Sequence, residues 1–216
     1  MIFEDRIHAG EILAKNLAKL KLDPQKSTVA AIPRGGVLVG EVIASKLKIP
    51  LTVIVIKKLG APFNPELAIG ATAAHGKPVL DRWLIADLSV SGDYLKKEII
   101  KKKKEAAARE KNLGIVLEPD QYKGKVVIVV DDGVATGQTV RAGAKIIRTF
   151  KPAKLYLAVG CASPQVIDQL HEDFDKIICP AISADLMAVG QFYRDFRPVE
   201  DEEVKFLLQN RLTVNR

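Results

Sequence analysis

Cysteine is almost missing from this 216-residue chain: Cys161 and Cys179 are the only two, and each lies at the end of an apolar run. Buried thiols are therefore expected, rather than a disulfide framework or a thiolate metal site. Histidine is equally sparse. His8, His75 and His171 stand far apart, at no spacing that serves a metal. No apolar run approaches the roughly 20 residues that cross a bilayer; the longest span residues 51–56 and 126–130. The opening Met-Ile-Phe-Glu-Asp-Arg lacks the basic-then-apolar order of a signal peptide, so a soluble cytoplasmic protein is expected. Two nucleotide-binding signatures are absent as well. There is no Gly-x-Gly-x-x-Gly, and the nearest approach to a P-loop, Gly133 to Gly137, is one residue short with Gln138 where the lysine belongs.

What is present is an ordinary globular composition, 48% apolar and 27% charged. The length suits one large domain over residues 1–216. The net charge of +7 is concentrated: between Leu95 and Asn112, eight basic residues stand against three acids, Glu98, Glu105 and Glu110. Leu95, Ile99, Ala106 and Leu113 recur there at helical spacing, which predicts a long helix with one packed stripe and a basic solvated face. A polyanion-binding patch is the alternative for that face. Lysine with glutamate in this abundance also suits a heat-adapted source.

The most informative stretch is residues 126–139. Val126, Val127, Ile128, Val129 and Val130 are β-branched throughout, too few for a helix and apolar on both faces, as in a central strand of a parallel sheet. Asp131 and Asp132 follow at the strand's end. Gly133, Val134, Ala135, Thr136, Gly137, Gln138 and Thr139 then form a turn of small and hydroxyl residues leading into a helix, able to aim backbone N–H groups and hydroxyls at one anion. Two carboxylates would repel a bare phosphate, and a helix N-terminus offers it only about 0.3–1 kcal/mol. The ligand must bring hydroxyl donors or a bound divalent cation, and a ribose 5-phosphate does so. The plain alternative is a strand-turn-helix corner with an exposed acidic turn.

Along the rest of the chain, residues 7–21 read as a helix, and Thr28 to Ile32 as a strand leading into Pro33-Arg34-Gly35-Gly36 and an apolar helix over 37–47. That turn again sets amides at a helix start, now beside an arginine. Strands are expected over 51–56, 83–86, 155–161 and 176–179, helices over 138–150 and 164–170. Residues 59–66, with two prolines and a glycine, read as a loop; 68–74 and 78–80 read as a hairpin turned at His75-Gly76-Lys77. Phe192, Tyr193 and Phe196 lie in an irregular tail, and the acids at 200–203 lead a final helix. Repeated β–α units predict an α/β fold, a mostly parallel, doubly wound sheet with helices on both faces. Ligands of such sheets sit at the carboxyl ends of the strands, near a topological switch point.

A hydrophobic strand, two acids and a small-residue loop ending Thr136-Gly137-Gln138-Thr139 resemble the phosphoribosyl-pyrophosphate (PRPP) motif of type I phosphoribosyltransferases. The wording Lys-Leu-Gly-Ala-Pro-x-Asn-Pro-Glu-Leu-Ala-Ile-Gly-Ala from Lys58 is similar to a subgroup of bacterial and archaeal members whose substrate is poorly defined. The resemblance implies a core over about 1–180, a mobile catalytic flap over about 57–80 and a C-terminal hood over about 180–216. It implies 5-phosphate on residues 133–139 and ribose hydroxyls on Asp131 and Asp132, which would also orient the waters of a magnesium ion. Diphosphate would lie on Arg34, Gly35 and Gly36, with a candidate cis peptide at Pro33–Arg34 and added charge from Lys57 or Lys58. Phe192 or Tyr193 would stack on the base. Asp131, Asp132 and Arg34 are the implied catalytic residues, PRPP and a nitrogenous base the substrates, and a homodimer the usual assembly.

Two departures from the family pattern bear on the substrate. Ala135 stands where enzymes of 6-oxopurines carry an aspartate that serves as base, so the motif resembles the adenine and uracil enzymes instead. Gly133 replaces a commonly bulky apolar residue. The reading is Mg-dependent transfer of phosphoribose from PRPP to a base. A PRPP- or nucleotide-sensing regulator that binds nucleic acid through the basic helix is the alternative. A phosphatase or receiver-type domain using the acid pair lacks the further acids it would need.

Overall fold

The computed structural model describes residues 1–115 and 118–214. Strand β1 (Ser27–Ala31) pairs in parallel with β2 (Leu51–Val53) on one side and β6 (Val126–Asp131) on the other; β7 (Lys154–Val159) and β9 (Lys176–Ile178) complete a parallel sheet in the order β2-β1-β6-β7-β9. Strand periodicity divides these residues between two cores. Val127 and Val129 join Ala30 and Ile32 on one face, while Ile128 and Val130 join Val29 and Ala31 on the other. The first face is covered by α5 (Gln138–Arg148) through Val140, Ala144 and Ile147. The second is covered by α1 (Arg6–Ala18) and α2 (Gly35–Leu47) through Leu13, Leu17, Val37 and Ile43. Both faces carry helices, as the repeated β–α units require.

From β1 the chain winds outward to β2, then returns to place β6 on β1's other side. The direction of winding reverses between β1 and β6, which makes their carboxyl ends the switch point of the sheet. Residues 32–36 and 131–137 leave the sheet there.

The flap differs from expectation. Residues 59–66 are not a loop: β3 (Lys57–Ala61) and β4 (Asn64–Thr72) form an antiparallel hairpin turned at Pro62 and Phe63, and β5 (Val79–Leu80) adds to it. Pro65 is tolerated because the register shifts on both sides of Gly60, and a bulge is where a strand can hold proline. A Cβ on Gly60 would lie 2.7 Å from the Pro65 carbonyl oxygen. Residues 83–86 are likewise helix rather than strand, within α3 (Arg82–Asp87), because the Asp81 carboxylate accepts the Leu84 amide at 2.9 Å and caps the first turn. Ser91 caps α4 (Gly92–Asn112), the lysine-rich helix. Leu59, Ala61 and Ile69 of the hairpin pack on Leu84 and Ile85 of α3 and on Tyr94, Leu95 and Ile99 of α4, and the Tyr94 hydroxyl donates to the Gly60 carbonyl at 2.9 Å.

The expected strand over 155–161 is broken after Val159, and β8 (Cys161–Ala162) turns off to pair with β10 (Ala181–Ile182). Helix α6 (Pro164–Leu170) lies between them, and α7 (Asp201–Val214) ends the described chain. Phe3, Cys161, Ala181 and Tyr193 make a separate small core under this hood. Both cysteines are free; burial pushes the Cys161 thiol up to about 12. No described helix is long and apolar enough to cross a membrane.

Glu110 of α4 does not lie on the basic face but is buried, 4% exposed, with Oε1 unpartnered among the described residues. Burial raises its carboxyl from an ordinary 4.5 to about 7. The folded chain therefore holds this proton more tightly than the unfolded chain. Its contribution is complete below pH 4.5 and is lost as pH rises through about 7. Glu110→Gln is expected to flatten that part of the stability–pH curve and to stabilise the protein at pH 8 by up to about 3 kcal/mol. Urea unfolding from pH 4 to 8 checks this, and an unchanged slope would contradict it.

Candidate active site

The two switch-point turns touch. The Pro33–Arg34 peptide is cis, and Gly35 and Gly36 open α2 directly against the acid pair at the end of β6. A Cβ on Gly35 would lie 1.9 Å from Asp132 Oδ2; one on Gly36 would lie 2.6 Å from the Val130 carbonyl oxygen and 2.9 Å from Asp131 Cα. Glycine is required at both positions because nothing larger fits between the turns.

The carboxylates are held differently. Asp131 Oδ1 accepts the Asp132 amide at 2.9 Å. Burial, and then the neighbouring Asp132 charge, push the Asp131 carboxyl well above the usual carboxylate range. Asp132 Oδ2 accepts Arg6 Nε at 2.8 Å, with the two side chains 14% and 8% exposed. Arg6 also donates to the Arg197 carbonyl at 2.9 Å, and its guanidinium lies 4.0 Å from the Phe196 ring centroid. Arg6 was not a sequence candidate. Its one signal is local: Asp5 caps α1 by accepting the His8 amide at 2.8 Å, which fixes the first turn that carries it.

The expected phosphate cup is partly committed to the fold. The Val134 amide donates to the Cys161 carbonyl at 2.8 Å and its side chain is buried in the sheet core, so Val134 offers a ligand neither group. Gly133 belongs to the hood packing: a Cβ there would lie 2.5 Å from Val189 Cγ1 and 2.7 Å from Cys161 Sγ. That contact explains the departure from a bulky residue. The open part of the cup is Ala135, Thr136, Gln138 and Thr139, all exposed, around Gly137, whose φ of +77° starts α5. Among the described residues, no acceptor engages the amides of Ala135, Thr136 and Gly137 or the two threonine hydroxyls.

Three other candidates lie elsewhere than expected. Arg34 faces the start of α7, with Nη1 3.5 Å from Glu200 and 3.9 Å from Asp201; Asp201 is also paired with Arg109 of α4, Nη2 to Oδ1 at 2.6 Å. Lys57 and Lys58 project to opposite faces of β3, as strand neighbours must. Lys58 donates to Gln138 Oε1 at 3.1 Å, at the cup rather than at the Arg34 turn, and Lys57 lies 3.9 Å from Glu105 of α4. Tyr193 is only 6% exposed, packed between Phe3 and Phe196 with ring centroids 5.2 and 5.1 Å away, and its hydroxyl donates to the Asp132 carbonyl at 2.6 Å. It props the acid pair and has no free face to stack on a base. Phe192, half-buried, keeps some surface.

Among the described residues no three His, Cys, Asp or Glu side chains could cage a metal. Among the described residues, no basic side chain or backbone N–H engages Asp131 Oδ2 or Asp132 Oδ1. This donor set fits a magnesium ion held chiefly by substrate oxygens and water, and no more demanding site.

The family model of the phosphoribosyl transferase domain matches residues 4–195. Two curated proteins of Mycobacterium tuberculosis, provisionally named phosphoribosyl transferases, are 34% identical over 212 residues, covering 94% of this chain and 45% of theirs. The chain thus spans less than half the length of these relatives. The crystal structure of TT1426 from Thermus thermophilus is 34% identical, with a TM-score of 0.85 over 97% of this chain and 99% of that one.

Proposed function

This chain belongs to the phosphoribosyl transferase domain family, and from that membership we propose that it transfers phosphoribose from PRPP to a nitrogenous base, releasing pyrophosphate and forming a nucleoside 5′-monophosphate. The observation that carries this reading is the direct contact of Gly35 and Gly36 with the Asp131–Asp132 pair. It sets an anion-binding turn on each side of two carboxylates, which matches a ligand with a phosphate at one end, a diphosphate at the other and hydroxyls between.

The 5-phosphate takes the amides of Ala135, Thr136 and Gly137 and the hydroxyls of Thr136 and Thr139. The ribose hydroxyls donate to Asp131 and Asp132. The diphosphate takes Arg34 and the amides of Gly35 and Gly36. Breaking the bond from the anomeric carbon to the diphosphate passes through an oxocarbenium-like state, so the turn's task is to stabilise the departing charge while the flap excludes water. The base nitrogen supplies the new bond to that carbon, and the proton it gives up passes to the departing diphosphate or to water. Magnesium, oriented by Asp131 and Asp132 through water, would further neutralise the diphosphate. Ala135 brings no base to the ring, which favours acceptors other than 6-oxopurines, and Phe192 is the proposed ring contact.

Pyrophosphate release from PRPP and Mg²⁺ with a panel of bases tests the reading, with Asp131→Asn as the control. Release with at least one base, lost in the control, supports it; PRPP binding without release for any base sinks it. Arg34 must leave Glu200 to serve the diphosphate. Because exposed ion pairs are worth about 0–1 kcal/mol, Glu200→Gln is expected to tighten PRPP binding by up to about fivefold, measured by calorimetry. An unaltered Kd would mean that Arg34 reaches the ligand without giving up this contact.

A second reading rests on α4. Lys97, Lys101 and Lys104 surround Ile100, which is 56% exposed, whereas Lys102 is paired with Glu105 and Lys103 donates to the Gly76 carbonyl. As a nucleic-acid surface this face predicts RNA or DNA binding that falls steeply with salt and with neutralisation of those three lysines.

A further inference from the structure

The flap and α5 enclose a groove that the proposed reaction does not use. Its volume is about 600 Å³, within the range of small-molecule sites. Lys58, Arg82, Arg141 and Lys145 are its cations, and Val79 and Leu80 of β5 form part of its apolar wall. Glu66 and Asp81 are its acids, and the Asp81 carboxylate is engaged as the cap of α3. Arg141 gives Nε to Asp173 at 2.9 Å, whereas Lys58, Arg82 and Lys145 have no acidic partner among the described residues. The charge excess is local to a concave surface, not spread along a solvated helix.

Gln138, Arg141 and Lys145 are spaced three and four residues apart on α5, so they line one face of it. At 1.5 Å per residue, Lys145 lies about 10 Å beyond Gln138 and the phosphate cup. A single 5-phosphate cannot span that distance. The two regions adjoin at Gln138, which lines both and accepts from Lys58.

We infer that this groove is a second anion site, which holds the phosphate chain of a nucleotide on Arg82, Lys145 and Arg141 and its base against the apolar wall of β5. A bound chain would draw on Lys58 from the far side of the cup and fasten the flap to α5.

The chain's only tryptophan, Trp83, is 74% exposed and adjoins Arg82, so its fluorescence reports occupancy. The full chain, saturated with PRPP and Mg²⁺, is titrated at constant ionic strength with ATP and separately with inorganic tripolyphosphate. Both probes are expected to bind and shift the Trp83 signal, ATP more tightly. Arg82→Ala and Lys145→Ala, both at exposed positions, are each expected to weaken binding by roughly tenfold with basal activity unchanged. Competition by PRPP would assign the probes to the active site and overturn the proposal, as would absence of binding or indifference to both substitutions. Equal affinity for the two probes would overturn the nucleotide assignment.

Discussion

Gly35→Ala is expected to lower kcat/KM for PRPP by at least about 100-fold, the scale on which a displacement near 1 Å of reacting groups costs activity. The new methyl group would sit 1.9 Å from Asp132 Oδ2 and 2.9 Å from Arg6 Nε. Neither neighbour can swing away cheaply, because each holds the other at 2.8 Å and Arg6 is further fixed by the Arg197 carbonyl. The substitution therefore moves the carboxylate that receives the ribose. Gly36→Ala meets backbone instead, the Val130 carbonyl and Asp131 Cα, and so forces the two strand ends apart. Overpacking of this kind costs about 1–3 kcal/mol. The pair thus separates two effects: loss of rate with a modest change in Tm for Gly35→Ala, loss of both for Gly36→Ala. Steady-state kinetics with thermal melts would check it, and a Gly35→Ala protein of normal activity would show that Asp132 has no fixed position to lose.

The second large effect is expected at Arg6. Arg6→Met leaves the Asp132 carboxylate, 14% exposed, without its cation in a site closed by Tyr193 and Phe196. Removing one partner of a buried pair costs about 3–5 kcal/mol, and residual solvent access at Asp132 puts the expected loss near the lower figure. Arg6→Lys is not a rescue, since an ammonium cannot hold Asp132, the Arg197 carbonyl and the Phe196 face together. In a double-mutant cycle with Asp132→Asn, urea unfolding should give a coupling energy of about 2 kcal/mol or more. A coupling below about 0.5 kcal/mol would mean that the two side chains act independently.

Arg6 also marks where sequence reading stopped. The β-branched run of β6, the glycine turn after β1 and the doubly wound order are visible in the sequence because each is a local pattern: short apolar strands, turn residues, helical spacing. The flap strands were obscured by Pro62 and Pro65, whose usual meaning is a loop; only the bulge at Gly60, a matter of cross-strand register, makes room for them. Trp83 to Ala86 read as a short strand, and the capping bond of Asp81, a detail of the turn before them, makes them helix instead. In the site, the acid pair and both turns were legible. What they contact was not, since Arg6, Tyr193, Glu200 and Asp201 approach from distant parts of the chain. Tyr193 in particular carried a base-stacking expectation from the resemblance to hooded transferases, whereas its surroundings give it a scaffold's place.

The hairpin of β3 and β4 shares a core with α3 and the first turns of α4, and joins the core of the sheet through Ala71 near the end of β4. Such a unit can open without melting the centre of the molecule. Native-state hydrogen exchange would then divide the amides into two populations. Those of residues 57–72 would exchange through a low-energy, sub-global opening, and those of β1 and β6 only through complete unfolding. The protein would tick with two clocks, and ligand in the groove beside α5 would slow the faster one.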